Sequence, residues 1–518
     1  MPTDRTTLRA MTDAMIHRGP DDHGHVIEPG VALGARRLSI IDVPNGAQPI
    51  ANEDASVWTV FNGEIYNFME LRSSLARDGH VLSTHGDTET IVHLYEQYGV
   101  EFAKRLRGMF AIAVWDRAKR RLILARDRMG VKPLYYATGP FGLAFASEVK
   151  SLIAGGLVDP ELDPLGAELF LAWGYVPGPN TLFKGVRKLM PATVLVWEDG
   201  GIRDERTYWD PDGLSNRDPS SSWTEDGERL LELLRTSVRA RMVSEVPIGV
   251  MLSGGIDSSL IATLMTEVSS RPLKTFSVGF VEDAGSNELA SARAVARRLG
   301  SEHHELSTSA LEYDHVFDEA LWHMEEPVAD LSPLGFFVLS QLARESVTVA
   351  LSGQGADELL GGYRKHQFAA AAYPLARVPG VTRLLASSTR WLTSESSVGR
   401  GLTALSSADP AERQQAMSRV FSAGHRLELL ESDFREQAAE HAIAAGVHKH
   451  LTSASSSPLA QTLDLDTRMA LVDNMLLYFD KMSMATSLEV RVPFMDHDVV
   501  TFCRGLPDSR KVWLLRRK

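Results

Sequence analysis

The stretch Ser253-Gly254-Gly255-Ile256-Asp257-Ser258-Ser259 constrains the fold of this chain more than any other. Apolar residues 246–252 lead into it as a strand, and the apolar pattern of residues 258–268 leaves it as a helix. A helix start presents unpaired backbone N–H groups and the positive end of the helix dipole, an arrangement suited to phosphate. Gly254 and Gly255 remove the side chains that would keep an anion from the backbone. Ser253 and Ser258 add hydroxyl donors. Asp257 would repel phosphate unless Mg²⁺ lay between them, so its presence points to a metal-bridged pyrophosphate. A glycine turn with serine caps is the plain alternative, and the register of strand, bend and helix favours phosphate. No Gly-Lys-Ser/Thr follows at Walker spacing.

Around this unit the sequence alternates. The periodicity predicts helices over 226–242, 258–268, 287–299 and 334–345, and strands over 248–252, 275–280, 304–306 and 347–351. Such alternation specifies a parallel sheet with crossover helices. From about residue 358 the pattern is mostly helical, and the Ser-rich run 453–457 reads as a solvated loop. A second strand end carries Ser352-Gly353-Gln354-Gly355-Ala356-Asp357-Glu358, then Gly361-Gly362-Tyr363. Ligands in such sheets lie beyond the carboxyl ends of the strands, so both ends can face one nucleotide. Asp257 and Asp357 then share one Mg²⁺, with a helix N-cap as the simpler role for Asp357. Val278, on the 275–280 strand, offers its backbone to adenine or is plain core.

Residues 24–195 read mainly as short strands, at 31–34, 57–62, 109–116, 121–126, 134–137, 143–147 and 193–197, interrupted by helical patterns at 67–77 and 87–98. Turn-rich residues 198–222 mark a boundary. It divides the chain into a first domain (1–197), a linker (198–222) and a second domain (223–518). A chain of 518 residues exceeds one hydrophobic core, and 44% hydrophobic content is ordinary for a globular protein. A formal net charge of −13 leaves no basic surplus for nucleic acid. No apolar run reaches bilayer length, and the start has no apolar signal core. The one cysteine, Cys503, excludes an intrachain disulfide and a cysteine metal site and fits a reducing cytoplasm. It lies in an apolar helical pattern with Val499, Val500 and Phe502 and reads as core.

Ser253–Ser259 resembles the PP-motif of ATP pyrophosphatases. Residues 352–363, the run Tyr478-Phe479-Asp480-Lys481-Met482-Ser483-Met484-Ala485, and Glu489, Arg491, Pro493, Phe494 and Asp496 resemble the glutamine-hydrolysing asparagine synthetase family. The first half agrees, with His17-Arg18-Gly19-Pro20-Asp21-Asp22, Arg37-Leu38-Ser39-Ile40, Phe61-Asn62-Gly63-Glu64-Ile65-Tyr66-Asn67, Arg126-Asp127-Arg128, Gly130 and Ala146-Ser147-Glu148. The match runs in family order from about residue 17 to about 508.

The resemblance implies an N-terminal-nucleophile αββα sandwich followed by an α/β parallel-sheet domain of ATP pyrophosphatase type with a helical C-terminal part. It implies that Arg37 forks onto the glutamine carboxylate, that Asp87 takes its ammonium group with Glu64 alongside, and that Asn62 and the Gly63 N–H form an oxyanion hole. It implies ATP contacts at Leu252, Ser253, Gly254, Gly255, Ser258, Val278, Ser352 and Gly353, with Asp257 and Asp357 at Mg-pyrophosphate. Aspartate's carboxylate attacks the α-phosphorus of ATP, and ammonia passed through an internal tunnel displaces AMP. The partners so implied are small molecules, neither nucleic acid nor membrane, with a homodimer as the assembly.

The chain departs from the family in three places. It opens Met1-Pro2 where the family has Met-Cys-Gly, whose cysteine is the glutaminase nucleophile. These residues are therefore expected to use free ammonia and not to hydrolyse glutamine. Val512 stands where a lysine near Leu514-Leu515-Arg516 is expected, with Lys511 next to it. Gln354 replaces the glutamate of some members; it cannot accept a proton and would orient a substrate instead. Two alternatives stay open at this point: a β-lactam synthetase-like enzyme that adenylates another carboxylate, and a non-catalytic remnant.

Overall fold

The computed structural model describes residues 4–211, 218, 220–280, 288–308, 314–376, 397–406, 410–418, 420–445 and 457–512. Met1-Pro2, the start of the 287–299 helix, most of the Ser-rich run 453–457 and Leu514-Leu515-Arg516 lie outside the described residues.

The first half is built on an apolar strand that faces two ways. In β5 (Gly108–Asp116), Phe110, Ile112 and Val114 alternate with Ala111, Ala113 and Trp115, and all six are buried. β5 lies inside a six-stranded antiparallel sheet together with β3 (Ile50–Ala51), β4 (Val57–Ile65), β6 (Arg121–Arg126), β10 (Thr193–Glu198) and β11 (Gly201–Thr207). Its Phe110 face packs on α2 (Phe68–Arg77) and α3 (Glu89–Tyr98) through Leu75, Ile91 and Leu94. Its Ala111 face packs on a second layer formed by β1 (Asp22–Glu28) with β2 (Val31–Arg37), and by β7 (Tyr135–Gly139) with β8 (Gly142–Ala146) and β9 (Val186–Lys188). The outer helices there are α1 (Arg5–Asp13), whose Leu8 is buried, and α4 (Val149–Ala154). The result is the expected αββα sandwich.

β11 is a strand that the sequence pattern does not announce. The turn Glu198-Asp199-Gly200-Gly201 is a hairpin bend with positive φ at Asp199 (51°) and Gly200 (75°), the pattern of a tight turn matched to strand twist. The following Ile202-Arg203-Asp204-Glu205-Arg206 forms an exposed edge strand, and its charged residues read as linker. Residues 201–207 therefore belong to the first sheet.

In the second half, β12 (Ile248–Met251), β13 (Lys274–Phe280), β14 (Glu302–Thr308), β15 (Val349–Leu351) and β16 (Glu489–Arg491) form a parallel sheet in the order β14-β13-β12-β15-β16. Helices α5 (Ile256–Val268), α6 (Leu289–Leu299) and α7 (Ser332–Arg344) are the crossovers, and the helix Trp223–Arg241 packs beside α5. The helices from residue 356 to 511 complete the domain. β16 gave no strand signal in the sequence because two of its three residues are charged. Both Glu489 and Arg491 are buried and paired with each other, Arg491 Nε donating to Glu489 Oε1 at 2.9 Å.

Candidate active sites

β12 has β13 on one side and β15 on the other, the switch point of the sheet order, and ligands of such sheets lie beyond the carboxyl ends of the strands at that point. The bend 253–255 sits there. Gly254 has φ +81°, and a Cβ on it would lie 2.4 Å from the Ala292 nitrogen of α6, so only glycine fits. Gly255 is the N-cap of α5 in extended conformation, and no side chain caps that helix. Ser253 is exposed at the rim. Ser258 is buried and braces the bend, accepting from the Ser253 N–H at 3.2 Å and sharing a hydrogen bond with its hydroxyl at 3.0 Å. Asp257 is half-buried in the first turn.

The second strand end is pressed against this bend. A Cβ on Gly353 would lie 2.8 Å from the Ser258 nitrogen and 2.9 Å from the Asp257 carbonyl carbon. Ser352 is buried; its N–H donates to the Arg491 carbonyl and its hydroxyl accepts from the Gln354 N–H at 3.3 Å. Gln354 points its amide at the thioether of Met475, 3.0 Å away. The following short helix, α8 (Ala356–Leu360), is capped by Gly355 in left-handed conformation, so Asp357 is a first-turn residue and not the N-cap. The Asp357 carboxylate lies against Gly362. Leu252 is buried and donates its N–H to Phe276 O at 2.8 Å, while Val278 is half-buried on β13. Lys511 turns its ammonium to the Arg504 carbonyl (3.4 Å), and Val512 packs at Gly361.

One residue of this site carried no assigned role in the sequence. Glu358 is 1% exposed, its Oε1 accepts from the Tyr363 hydroxyl at 2.5 Å, and its Oε2 has no hydrogen-bond partner among the described residues. Burial raises its carboxyl to about 7, poised to take up a proton near neutrality. An acid flanked by Asp357 and Leu359-Leu360 was the available signal: its helical neighbours are core.

In the first half Arg37, Asn62, Gly63, Glu64 and Asp87 all line one cavity of about 340 Å³ between β2, β8 and the inner face of the six-stranded sheet. The guanidinium of Arg37 is anchored by donating to the carbonyls of Ile41, Asp42 and Val43 at 2.8–3.0 Å. Asn62 donates its amide to the Ser147 hydroxyl at 3.2 Å. Gly63 has φ +146°, and a Cβ there would meet the Met109 carbonyl oxygen at 2.0 Å. Cys503, fully buried in the helix His497–Gly505, packs in the core of the second half and does not line the cavity.

The cavity wall continues into the second half through Met484 and Glu489. Fully buried Arg491 donates to Glu64 Oε2 (2.8 Å), to Glu489, and to the Arg241 and Val243 carbonyls at 2.8 and 2.7 Å. Three carboxyls, Glu64, Glu489 and Asp87, thus sit in the field of one guanidinium. Burial, with repulsion from its neighbours, raises Glu64 and brings Asp87 to about 6. Asp87 also accepts the Ile65 N–H at 2.9 Å. Further buried pairs tie the halves together: Asp480 holds Arg18 (2.7 Å) and Lys132 (3.0 Å), and Asp496 holds Arg107 (2.8 Å) and Arg241 (3.0 Å).

Residues 1–209 match the glutamine amidotransferase domain family, and residues 229–518 match the asparagine synthase family. The chain is 36% identical over 97% of its length, and 78% of the relative's, to asparagine synthetase [glutamine-hydrolyzing] 1 of Bacillus subtilis. It is 37% identical over 96% of its length, and 78% of the relative's, to a putative asparagine synthetase [glutamine-hydrolyzing] of Mycobacterium tuberculosis. A relative from Penicillium rubens, amidase chyE, is 31% identical over 98% of this chain and 79% of its own. With these matches spanning both halves, the chain belongs to the asparagine synthase family.

Proposed function

We propose that this chain is an asparagine synthase of the glutamine-dependent type. It joins nitrogen from ammonia, or from glutamine with release of glutamate, to the side-chain carboxylate of aspartate at the expense of ATP, giving asparagine, AMP and pyrophosphate. The observation that carries this reading is the crevice at β12, where an uncapped helix start and the Gly353 strand end converge on one point. The nucleotide phosphates meet the first-turn N–H groups of α5 beside Ser253, Gly254 and Gly255, while Leu252, Val278, Ser352 and Gly353 flank the adenylate.

Asp257 and Asp357 would hold Mg²⁺. Each is half-buried in the first turn of a helix that starts at one of two neighbouring strand ends, and hard carboxylate oxygens suit that ion. When bound, Mg²⁺ neutralises the pyrophosphate leaving group. The aspartate carboxylate attacks the α-phosphorus and pyrophosphate leaves; ammonia then attacks the acyl carbon and AMP leaves. Attack by ammonia generates an N–H proton that must be removed. Glu358, not Gln354, has the chemistry to accept it. Gln354 orients the reacting groups through its amide.

In the first half the N–H groups of Arg37 not bound to the 41–43 turn face a glutamine carboxylate. Asp87 and Glu64 receive the ammonium, and Asn62 with the Gly63 N–H stabilises the oxyanion. On this reading the first half, its edge strand 201–207 included, holds glutamine, the residues between that strand and Trp223 connect, and 223–518 activate aspartate. The test is direct. Purified chain given ATP, Mg²⁺, aspartate and ammonium should form asparagine and AMP in equal amounts. Formation of ADP, or AMP release that does not depend on aspartate, would overturn the reading. Preference for a β-amino acid that closes on itself would favour the β-lactam synthetase-like alternative.

A further inference from the structure

In the first half, among residues that do not line the cavity, two histidines and two glutamates converge. Glu53 follows β3, His80 follows α2, and His93 and Glu96 stand one turn apart on α3. One ligand atom from each lies within 4.8 Å of every other. His93 Nδ1 is 3.1 Å from Glu96 Oε2 and 3.7 Å from Glu53 Oε2, and His80 Nδ1 is 3.7 Å from the same Glu96 oxygen. The corners of a tetrahedron built on metal bonds of 2.0–2.2 Å are roughly 3.3–3.6 Å apart, so small side-chain adjustments would bring these three separations to those of a zinc shell.

The surroundings are arranged as a metal site needs. His93 is fully buried, so its ring is fixed in place by packing. Each glutamate is held by its other oxygen: Glu96 Oε1 accepts from Asn52 Nδ2 at 2.7 Å, and Glu53 Oε1 accepts from the Val81 N–H at 2.9 Å. This leaves the two Oε2 atoms facing the histidines. The remote nitrogen of His93, Nε2, lacks a hydrogen-bond partner among the described residues and faces Glu89 Oε1 at 3.8 Å. A carboxylate behind the ligating imidazole is the usual outer support of a zinc histidine, and it sets the tautomer that frees Nδ1 for the metal. His80 is 18% exposed and Glu53 40%, which leaves the ion a route in from solvent.

We infer that Glu53, His80, His93 and Glu96 form a structural zinc site. Two imidazoles and two carboxylates in tetrahedral spacing match zinc better than magnesium or calcium, which take six or more oxygens. The ion cross-links three segments: the turn after β3, the loop after α2, and α3. That loop runs from His80 to Asp87, and Glu89 fastens its middle by accepting from the N–H and hydroxyl groups of Ser83 and Thr84 at 2.7–2.8 Å. The zinc therefore pins one end of the segment whose other end forms the cavity wall at Asp87.

The experiment titrates the metal-stripped 518-residue chain with zinc against a chromophoric chelator, and records X-ray absorption at the zinc edge. One equivalent should bind in the submicromolar range, with nitrogen and oxygen neighbours at 2.0–2.2 Å and no sulfur. His80→Ala and Glu53→Gln, both at partly exposed positions that tolerate substitution, should each weaken binding at least ~100-fold. Asn52→Ala, which frees Glu96, should weaken it ~10-fold, as losses of outer support do. Zinc should raise the thermal midpoint of the parent chain and not that of His80→Ala. Equal zinc affinity in parent and His80→Ala, or binding only at millimolar zinc, would overturn the assignment.

Discussion

Arg491 touches both candidate sites, through Glu64 and through the Ser352 N–H, and its removal has a calculable consequence. The residue is 0% exposed and uses its guanidinium on two carboxylates and two backbone carbonyls. Arg491→Met keeps most of the volume but strands Glu64 and Glu489, which are 4% and 5% exposed. Deleting one partner of a buried ion pair costs about 3–5 kcal/mol, and the two carbonyls add to this unless water reaches them. Protonation of Glu64, whose carboxyl burial already raises, caps the loss, so about 4 kcal/mol is expected. A two-domain chain has no single unfolding free energy, so the measurement must be local. Native-state hydrogen exchange at β16 and at the Ile65 N–H, which is bonded to Asp87, reads it. At 1.4 kcal/mol per decade, protection should fall roughly 10²–10³-fold. The sign of the pH effect is fixed as well. Glu64 has a raised carboxyl, so its charged-form penalty is present above that raised value and disappears as pH falls below it. The variant should regain protection as pH falls through the raised value of Glu64, and Glu64→Gln in the same chain should restore part of it above that value. Unchanged protection in Arg491→Met at pH 7, or a loss that deepens on acidification, would refute this account of the interface.

Asp87 titrates at about 6 in the fold against 3.8 unfolded, so its ionisation opposes folding as pH rises through that window. Asp87→Asn should therefore raise the thermal midpoint at pH 7.5 while abolishing glutamine binding by calorimetry. Glutamine affinity of the parent chain should fall below pH 6 as the carboxylate protonates. Glu358→Gln should cut ammonia-dependent asparagine formation about 10²–10³-fold and spare aspartate-dependent ATP–pyrophosphate exchange, because proton acceptance follows adenylation; equal loss in both assays would assign it to the first step. Given glutamine alone, residues 1–518 should release no glutamate, since their one thiol is buried at Cys503 away from the cavity.

The strand, glycine bend and helix at residues 248–268 were legible because each leaves a distinct local pattern. β12, β13 and β15 fall within a few residues of their expected places. The pocket residues Arg37, Asn62, Gly63, Glu64 and Asp87 were named through resemblance, and all line one cavity. What escaped was set by tertiary pairing. β16 hides behind Glu489 and Arg491, charges that are buried because they neutralise each other. β11 hides because an edge strand with solvent on it carries no apolar alternation. Glu358 reads as a surface acid until Tyr363 and the core around it are in place. The zinc cluster joins residues 27 and 43 positions apart, from three elements, and no local spacing announces it.

The central claim is that the bend at Gly254-Gly255 holds ATP for attack by the aspartate carboxylate. Exchange of labelled pyrophosphate into ATP, run with aspartate and without any nitrogen donor, measures that step alone. The account predicts exchange that requires aspartate and falls at least ~10²-fold in Asp257→Ala, with the fold of the variant intact by hydrogen exchange. Exchange that proceeds equally without aspartate, or that survives in Asp257→Ala, would contradict it.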